Sequence, residues 1–347
     1  MRRVQGCLAV VVLLTAMPLF AQSKAKVQNV PEIPYDSVPN ALKLPDNLYL
    51  GEGIGSATNS KGHVYVYPRS ARTRLFEFDQ NGTFVKEIGQ DLYGFLFAHA
   101  VRVDKDDNIW AVDEGTNMVV KFDPNGKVLM LIGRRPEAVE GLEAGPPPGT
   151  PPPNAQPYAL GRPTDIGWDP QGNIFISDGY TNSRVVKYDK FGKFIRASGT
   201  RGTAPGQMNT PHGLQVDAKG NVYVADRGNA RIQVFDNNLT LRAIYDHVGN
   251  PWTLCITPGP HQYLYSSNSY PDSNPAPARD ITGEVYKMEL DGKVLGRFGT
   301  GGHGPNEFSS IHQMDCRDEN QLYVAEITQW RVKKITLKPT NRPPTAN

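Results

Sequence analysis

Short runs of alternating apolar and polar residues recur along the chain from about residue 50 to residue 338. Three stretches show the pattern well: "HAVRVDKDDNIWAVDEGTNMVVKFDPNGKVLMLIG" from His99, "TDIGWDPQGNIFISDGYTNSRVVKYDKFGKFIRASG" from Thr164 and "HGLQVDAKGNVYVADRGNARIQVFDNNLTLRAIY" from His212. Each reads as four short strands divided by turns of the D-x-x-G-N and D-x-G-N-x-R kinds. Val101 and Val103 show the strand period in one copy. Weaker copies start near Gly55, Trp252 and His312, and the second strands of the units begin at His63, Asn108, Asn173, Asn221, Gln262 and Gln321. The pattern predicts six units of four strands each.

Units of this kind are propeller blades, because one small sheet cannot bury both of its faces alone. The expected fold is an all-β six-bladed β-propeller over residues 41–338. The last unit offers only three strands, at 312–316, 322–325 and 332–337, before Pro339, Pro343 and Pro344. Its missing outer strand is expected from residues 41–50, which would close the ring and leave no open edge. Residues 22–40 then form an N-terminal extension and 339–347 a disordered tail. Two insertions, 134–162 with "GPPPGTPPPNAQP" and 269–280, read as surface loops.

Arg2 and Arg3 precede an apolar run over 7–20, and Ala21 follows it, which reads as a signal peptide over residues 1–21. The run is short and broken by Pro18, so a membrane span is not expected. The mature protein is expected to be exported, to a periplasmic or extracellular location, and to be a monomer. Cys255 and Cys316 remain in it, either as one disulfide or as two buried thiols. The 34 Gly and 29 Pro fit a turn-rich β fold. A net charge of +2 carries no basic excess for a nucleic-acid or acidic-membrane partner.

The innermost strand of each blade lines the central channel, and its start is a fixed slot five residues before the turn. Blades one to six place Gly55, His99, Thr164, His212, Trp252 and His312 there. Histidine thus falls on blades two, four and six, about 120° apart in a six-fold ring. Three imidazoles converging at one height make the three-ligand set of a catalytic zinc with an open position. His63, His247, His261 and His303 do not share the slot.

A second slot follows the second strand of each blade. It holds Arg69 in blade one, Glu114 in blade two, Gly179 followed by Tyr180 in blade three, and Arg227 in blade four. Two arginines and a tyrosine beside a metal suit a small-molecule or peptide carboxylate substrate. The other reading of Arg69 and Arg227 is that of turn residues capping carbonyls. Asp113, Asp178 and Asp226, like Arg184, Arg231 and Arg331, repeat too regularly for catalysis and are expected to fix turns. No phosphate-binding glycine loop, G-x-S-x-G, H-E-x-x-H or C-x-x-C occurs.

The copies resemble NHL repeats. From about residue 64 to 337 the chain resembles the catalytic domain of peptidyl-α-hydroxyglycine α-amidating lyase, most clearly in "RPTDIGWDPQGNIFISDGYTNSRVVKYDKFGKF" and "TPHGLQVDAKGNVYVADRGNARIQVF". The resemblance implies Zn²⁺ on His99, His212 and His312, a catalytic tyrosine at Tyr180 and functional arginines at Arg69 and Arg227. It implies C–N bond cleavage of a peptidyl-α-hydroxyglycine-like carbinolamide to an amide and glyoxylate. The family places an aspartate after the third histidine, where it helps hold calcium; here that position is Gln313. Thr181 stands where the vertebrate enzyme has a disulfide cysteine. Two alternatives remain open at this level: a non-catalytic NHL-repeat scaffold for protein or ligand binding, and a different metal-dependent lyase or hydrolase on the same ring.

Overall fold

The computed structural model describes residues 25–27, 29–90, 94–134, 156–269 and 283–339. The expected signal peptide, most of both insertions and the residues beyond 339 lie outside the described residues. Six four-stranded sheets are present, each antiparallel throughout. In blades one to five the strands run in chain order from the axis outward. The innermost strands are Glu52–Thr58, Ala98–Val103, Asp165–Trp168, Pro211–Val216, Leu254–Ile256 and Ile311–Asp318. Each of them contacts its two neighbours, and the sixth contacts the first, so the ring is closed.

The repeated turns explain why the blades form. In blade three the Asp169 carboxylate accepts the backbone N–H groups of Gln171 and Asn173 at 3.0 and 2.8 Å. Gly172, at φ 85°, takes the left-handed position of that turn. Blade four repeats the arrangement with Asp217, Lys219 and Asn221. The sheets then stack face to face. Apolar clusters fill each of the six seams between neighbouring blades, for example Ile166 and Ile176 against Val112 and Val119, or Val64 and Phe76 against Tyr323 and Val332. With both faces covered, a strand such as Val222–Asp226 is buried at every position.

The closing strand differs in place from the expectation. The outer strand of blade six is Tyr35–Val38, paired antiparallel with Arg331–Leu337. Residues 41–50 do not supply it. The Tyr35 ring packs 5.4 Å from the Phe298 ring and 6.1 Å from that of Phe308, anchoring the strand. In residues 41–50, by contrast, Pro45 begins a turn that Leu48 closes with an N–H bond to its carbonyl at 2.9 Å. Leu42, Leu44, Leu48 and Leu50 pack instead on the seam between blades six and one. Cys255 and Cys316 form a disulfide that joins the innermost strands of blades five and six.

Candidate metal centre

Each slot histidine is buried, with 1 % of His99, 2 % of His212 and 3 % of His312 exposed. Their ligand atoms all lie within 4.8 Å of one another. The ring nitrogens are sorted by the neighbouring blade. Nδ1 of His99 lies 2.6 Å from the Thr164 carbonyl, Nδ1 of His212 lies 2.7 Å from that of Trp252, and Nδ1 of His312 lies 2.9 Å from that of Ile54. A carbonyl can only accept, so each Nδ1 carries the proton and donates. Each Nε2 then presents a lone pair toward the axis, which is how outer partners orient metal-binding imidazoles. Nε2 of His212 is buried with no hydrogen-bond partner among the described residues. A buried orphan acceptor is costly unless something binds it. The three residues therefore fit a divalent metal such as zinc by their chemistry and by this orphaned atom.

Burial holds all three imidazoles well below their ordinary pKa. The neighbouring histidines add to the effect at His99, as Arg227 does at His212 and Arg69 at His312. In the unfolded chain each would titrate near about 6.5. As the pH falls through that value the unfolded chain takes up protons that the folded ring refuses. The metal-free protein is therefore expected to lose stability on the acid side, with a slope of up to about 4 kcal/mol per pH unit from three groups. Urea midpoints of metal-free protein measured from about pH 8 to about pH 5 check this. His212→Gln should remove about a third of the ring's share of the slope.

The second slot gathers around this ring. The Tyr180 hydroxyl lies 3.4 Å from Nε2 of His99 and 3.4 Å from an Arg227 guanidinium nitrogen. Burial raises the Tyr180 phenol above its ordinary value, and Arg227 opposes that shift. The Arg227 guanidinium also sits 5.4 Å over the Tyr180 ring and 4.5 Å over the Trp252 ring, a cation held between two aromatic faces. Arg69 does cap a carbonyl, donating from Nε to Ala98 at 2.7 Å, but its other end faces the site and lies 3.4 Å from the Glu114 carboxylate. Its guanidinium stacks 3.8 Å over Phe97.

Two residues without an assigned role in the sequence reading join the site. Glu114 is 2 % exposed, its Oε2 lies 3.8 Å from Nε2 of His99, and its Oε1 accepts from Arg162. Burial raises its carboxyl, and Arg162 and Arg69 oppose the rise. Arg162 lies 4.7 Å over the Tyr180 ring. Its backbone is left-handed at φ 57°, with the N–H donating to Asn117 Oδ1 at 2.8 Å. Glu114 occupied the second slot in the sequence, which was its signal; Arg162, at the end of an insertion, had none. Three arginines against two carboxylates, Glu114 and the Glu52 carboxylate 3.8 Å from Arg69, leave the mouth with a net positive charge suited to an anionic ligand.

The other expectations sort cleanly. Asp178 and Asp226 bind Arg184 and Arg231 at 2.8 and 2.7 Å and accept the backbone N–H groups of Gly161 and Asn209, fixing turns. Glu326 does the same for Arg331 in blade six, at 2.8 Å. Asp113 accepts the N–H groups of Leu96, Phe97 and Thr116. His63, His247, His261 and His303 pair with Glu77, Gly292, Glu289 and Gln329, away from the ring.

The NHL repeat family matches residues 208–235. The chain is 23 % identical over 312 residues to a probable peptidyl-α-hydroxyglycine α-amidating lyase of Caenorhabditis elegans, covering 83 % of each chain. It is 31 % identical over 322 residues to a peptidylglycine α-amidating monooxygenase of Rattus norvegicus, covering 86 % of this chain but only 30 % of that protein. Among solved structures, a gluconolactonase from Xanthomonas campestris superposes with a TM-score of 0.58 at 15 % identity, covering 93 % of this chain and 99 % of the other, a likeness of fold alone. With the repeat, the six closed blades and the relatives together, the chain is a six-bladed β-propeller that carries an NHL repeat over residues 208–235 and is similar in sequence to proteins named peptidyl-α-hydroxyglycine α-amidating lyase.

Proposed function

We propose that this protein is a zinc-dependent lyase that cleaves the C–N bond of a peptidyl-α-hydroxyglycine-like carbinolamide, releasing an amide and glyoxylate. The observation that carries the reading is the convergence of three buried, oriented Nε2 atoms beside the Tyr180 hydroxyl and the arginine cluster. The lyase named among its relatives supports the choice of reaction.

His99, His212 and His312 would hold the metal, which when bound supplies positive charge that makes a substrate hydroxyl, and the phenol beside it, more acidic. Arg227, fixed between Tyr180 and Trp252, offers its guanidinium fork to the substrate carboxylate. Tyr180, in its deprotonated form, takes the proton of the substrate hydroxyl. The oxygen's electron pair then forms the aldehyde carbonyl of glyoxylate as the C–N bond breaks, and Tyr180 returns the proton to the departing amide nitrogen, so atoms and charge balance. Arg69 and Arg162, with Arg227, hold positive charge near the Tyr180 oxygen and so favour the deprotonated form that accepts the proton. The disulfide and the N-terminal apolar run support export to an oxidising compartment. Among the described residues no helix is long and apolar enough to cross a membrane. Glyoxylate and amide released in equal amounts from a synthetic peptidyl-α-hydroxyglycine test the proposed reaction.

A further inference from the structure

The axis next to the histidines, toward the opposite mouth, is filled by side chains. Arg102, three residues beyond His99, is buried and makes a two-point contact with the Asp165 carboxylate of blade three, at 2.9 Å from Nε and 2.6 Å from a terminal nitrogen. Its other contacts are the Met314 carbonyl of blade six at 3.1 Å and the Leu254 carbonyl of blade five at 3.3 Å. Asp165 also accepts the Leu214 N–H of blade four at 3.0 Å. Gln313, next to His312, pairs reciprocally with the backbone of Val101 in blade two: Nε2 donates to the carbonyl at 2.7 Å and Oε1 accepts the N–H at 3.1 Å. Gly55 of blade one passes so close that a Cβ there would lie 2.7 Å from Gln313 Oε1.

A carboxylate together with backbone carbonyls pointing inward is the oxygen set that a hard divalent cation takes. Here those oxygens face nitrogen donors of the chain itself. We propose that Arg102 and Gln313 replace a structural calcium ion, so that this layer positions the histidine ring with no second metal. The Arg102 guanidinium supplies this layer's positive charge from the chain itself, in a two-point contact with Asp165. The aspartate that the resemblance implies for calcium is replaced here: the position after the third histidine carries an amide, Gln313, whose NH₂ already occupies the Val101 carbonyl. The inference is independent of whether the ring above is catalytic, because it is read through stability and calcium binding.

The test uses the zinc-loaded full chain. Adding calcium at about 1 mM should leave the melting temperature of the wild type unchanged, and calorimetric titration should show no calcium binding. Arg102→Ala leaves Asp165 and the Leu254 and Met314 carbonyls without their cation. Its melting temperature should fall by roughly 5–10 °C, and calcium should recover part of that loss. Calcium binding that stabilises the wild type overturns the proposal, and that result needs no variant to fold. A folded Arg102→Ala protein that matches the wild type in stability, or that is indifferent to calcium, overturns it too.

Discussion

His212→Ala is expected to abolish zinc binding and turnover together. Its Nε2 is the buried acceptor left without a partner, while Nδ1 is committed to the Trp252 carbonyl at 2.7 Å. Removing the imidazole takes away one of three converging ligand atoms and leaves two, too few for a stable site. Loss of a Lewis acid worth several kcal/mol corresponds to a fall in kcat/KM of about 10³-fold or more. The Trp252 carbonyl also loses its donor, a cost of about 1–3 kcal/mol that should leave the propeller folded. Metal content by atomic emission, the far-ultraviolet spectrum and turnover, measured on one preparation, check the three statements. His63→Ala is the matched control: His63 pairs with Glu77 at 2.7 Å outside the ring, and its loss should change neither zinc nor rate.

Tyr180→Phe should separate metal binding from chemistry. The phenyl ring keeps the stacking surface for Arg162 and Arg227, at 4.7 and 5.4 Å, so the cationic mouth should persist. Only the hydroxyl that lies 3.4 Å from both His99 and Arg227 is removed. Zinc stoichiometry should stay at that of the wild type while kcat falls by about 10²–10⁴-fold, the usual worth of a positioned proton acceptor. KM should change little, because the carboxylate contact belongs to Arg227. A variant with unchanged kcat would remove Tyr180 from the mechanism.

The sequence made the ring legible because symmetry repeats. One slot recurs once per blade, so histidine in alternate copies at His99, His212 and His312 implies convergence before any coordinate is known. The turn slot did the same for Arg69, Tyr180 and Arg227. What it could not display are interactions with no periodic mark. The carbonyls that orient the histidines belong to Thr164, Trp252 and Ile54, and a backbone oxygen has no side-chain signature. Glu114 stood in the right slot, but its role depends on Arg162, which an insertion brings in from outside the repeat. The closing strand was misplaced for a related reason. Residues 41–50 are rich in leucine, which fits a strand, yet those leucines serve a seam, and an aromatic anchor, Tyr35, selects the edge of blade six.

The central claim is that three axial histidines, through a bound zinc ion, support carbinolamide cleavage. Its most direct test follows glyoxylate release from a peptidyl-α-hydroxyglycine by one preparation in three states: zinc-loaded, stripped by a chelator, and reloaded with zinc. The account predicts glyoxylate and amide in equal amounts from the loaded protein, none above the uncatalysed rate after stripping, and recovery at one zinc per chain. A folded, zinc-loaded protein that releases no glyoxylate, or a stripped protein that releases it undiminished, would contradict it.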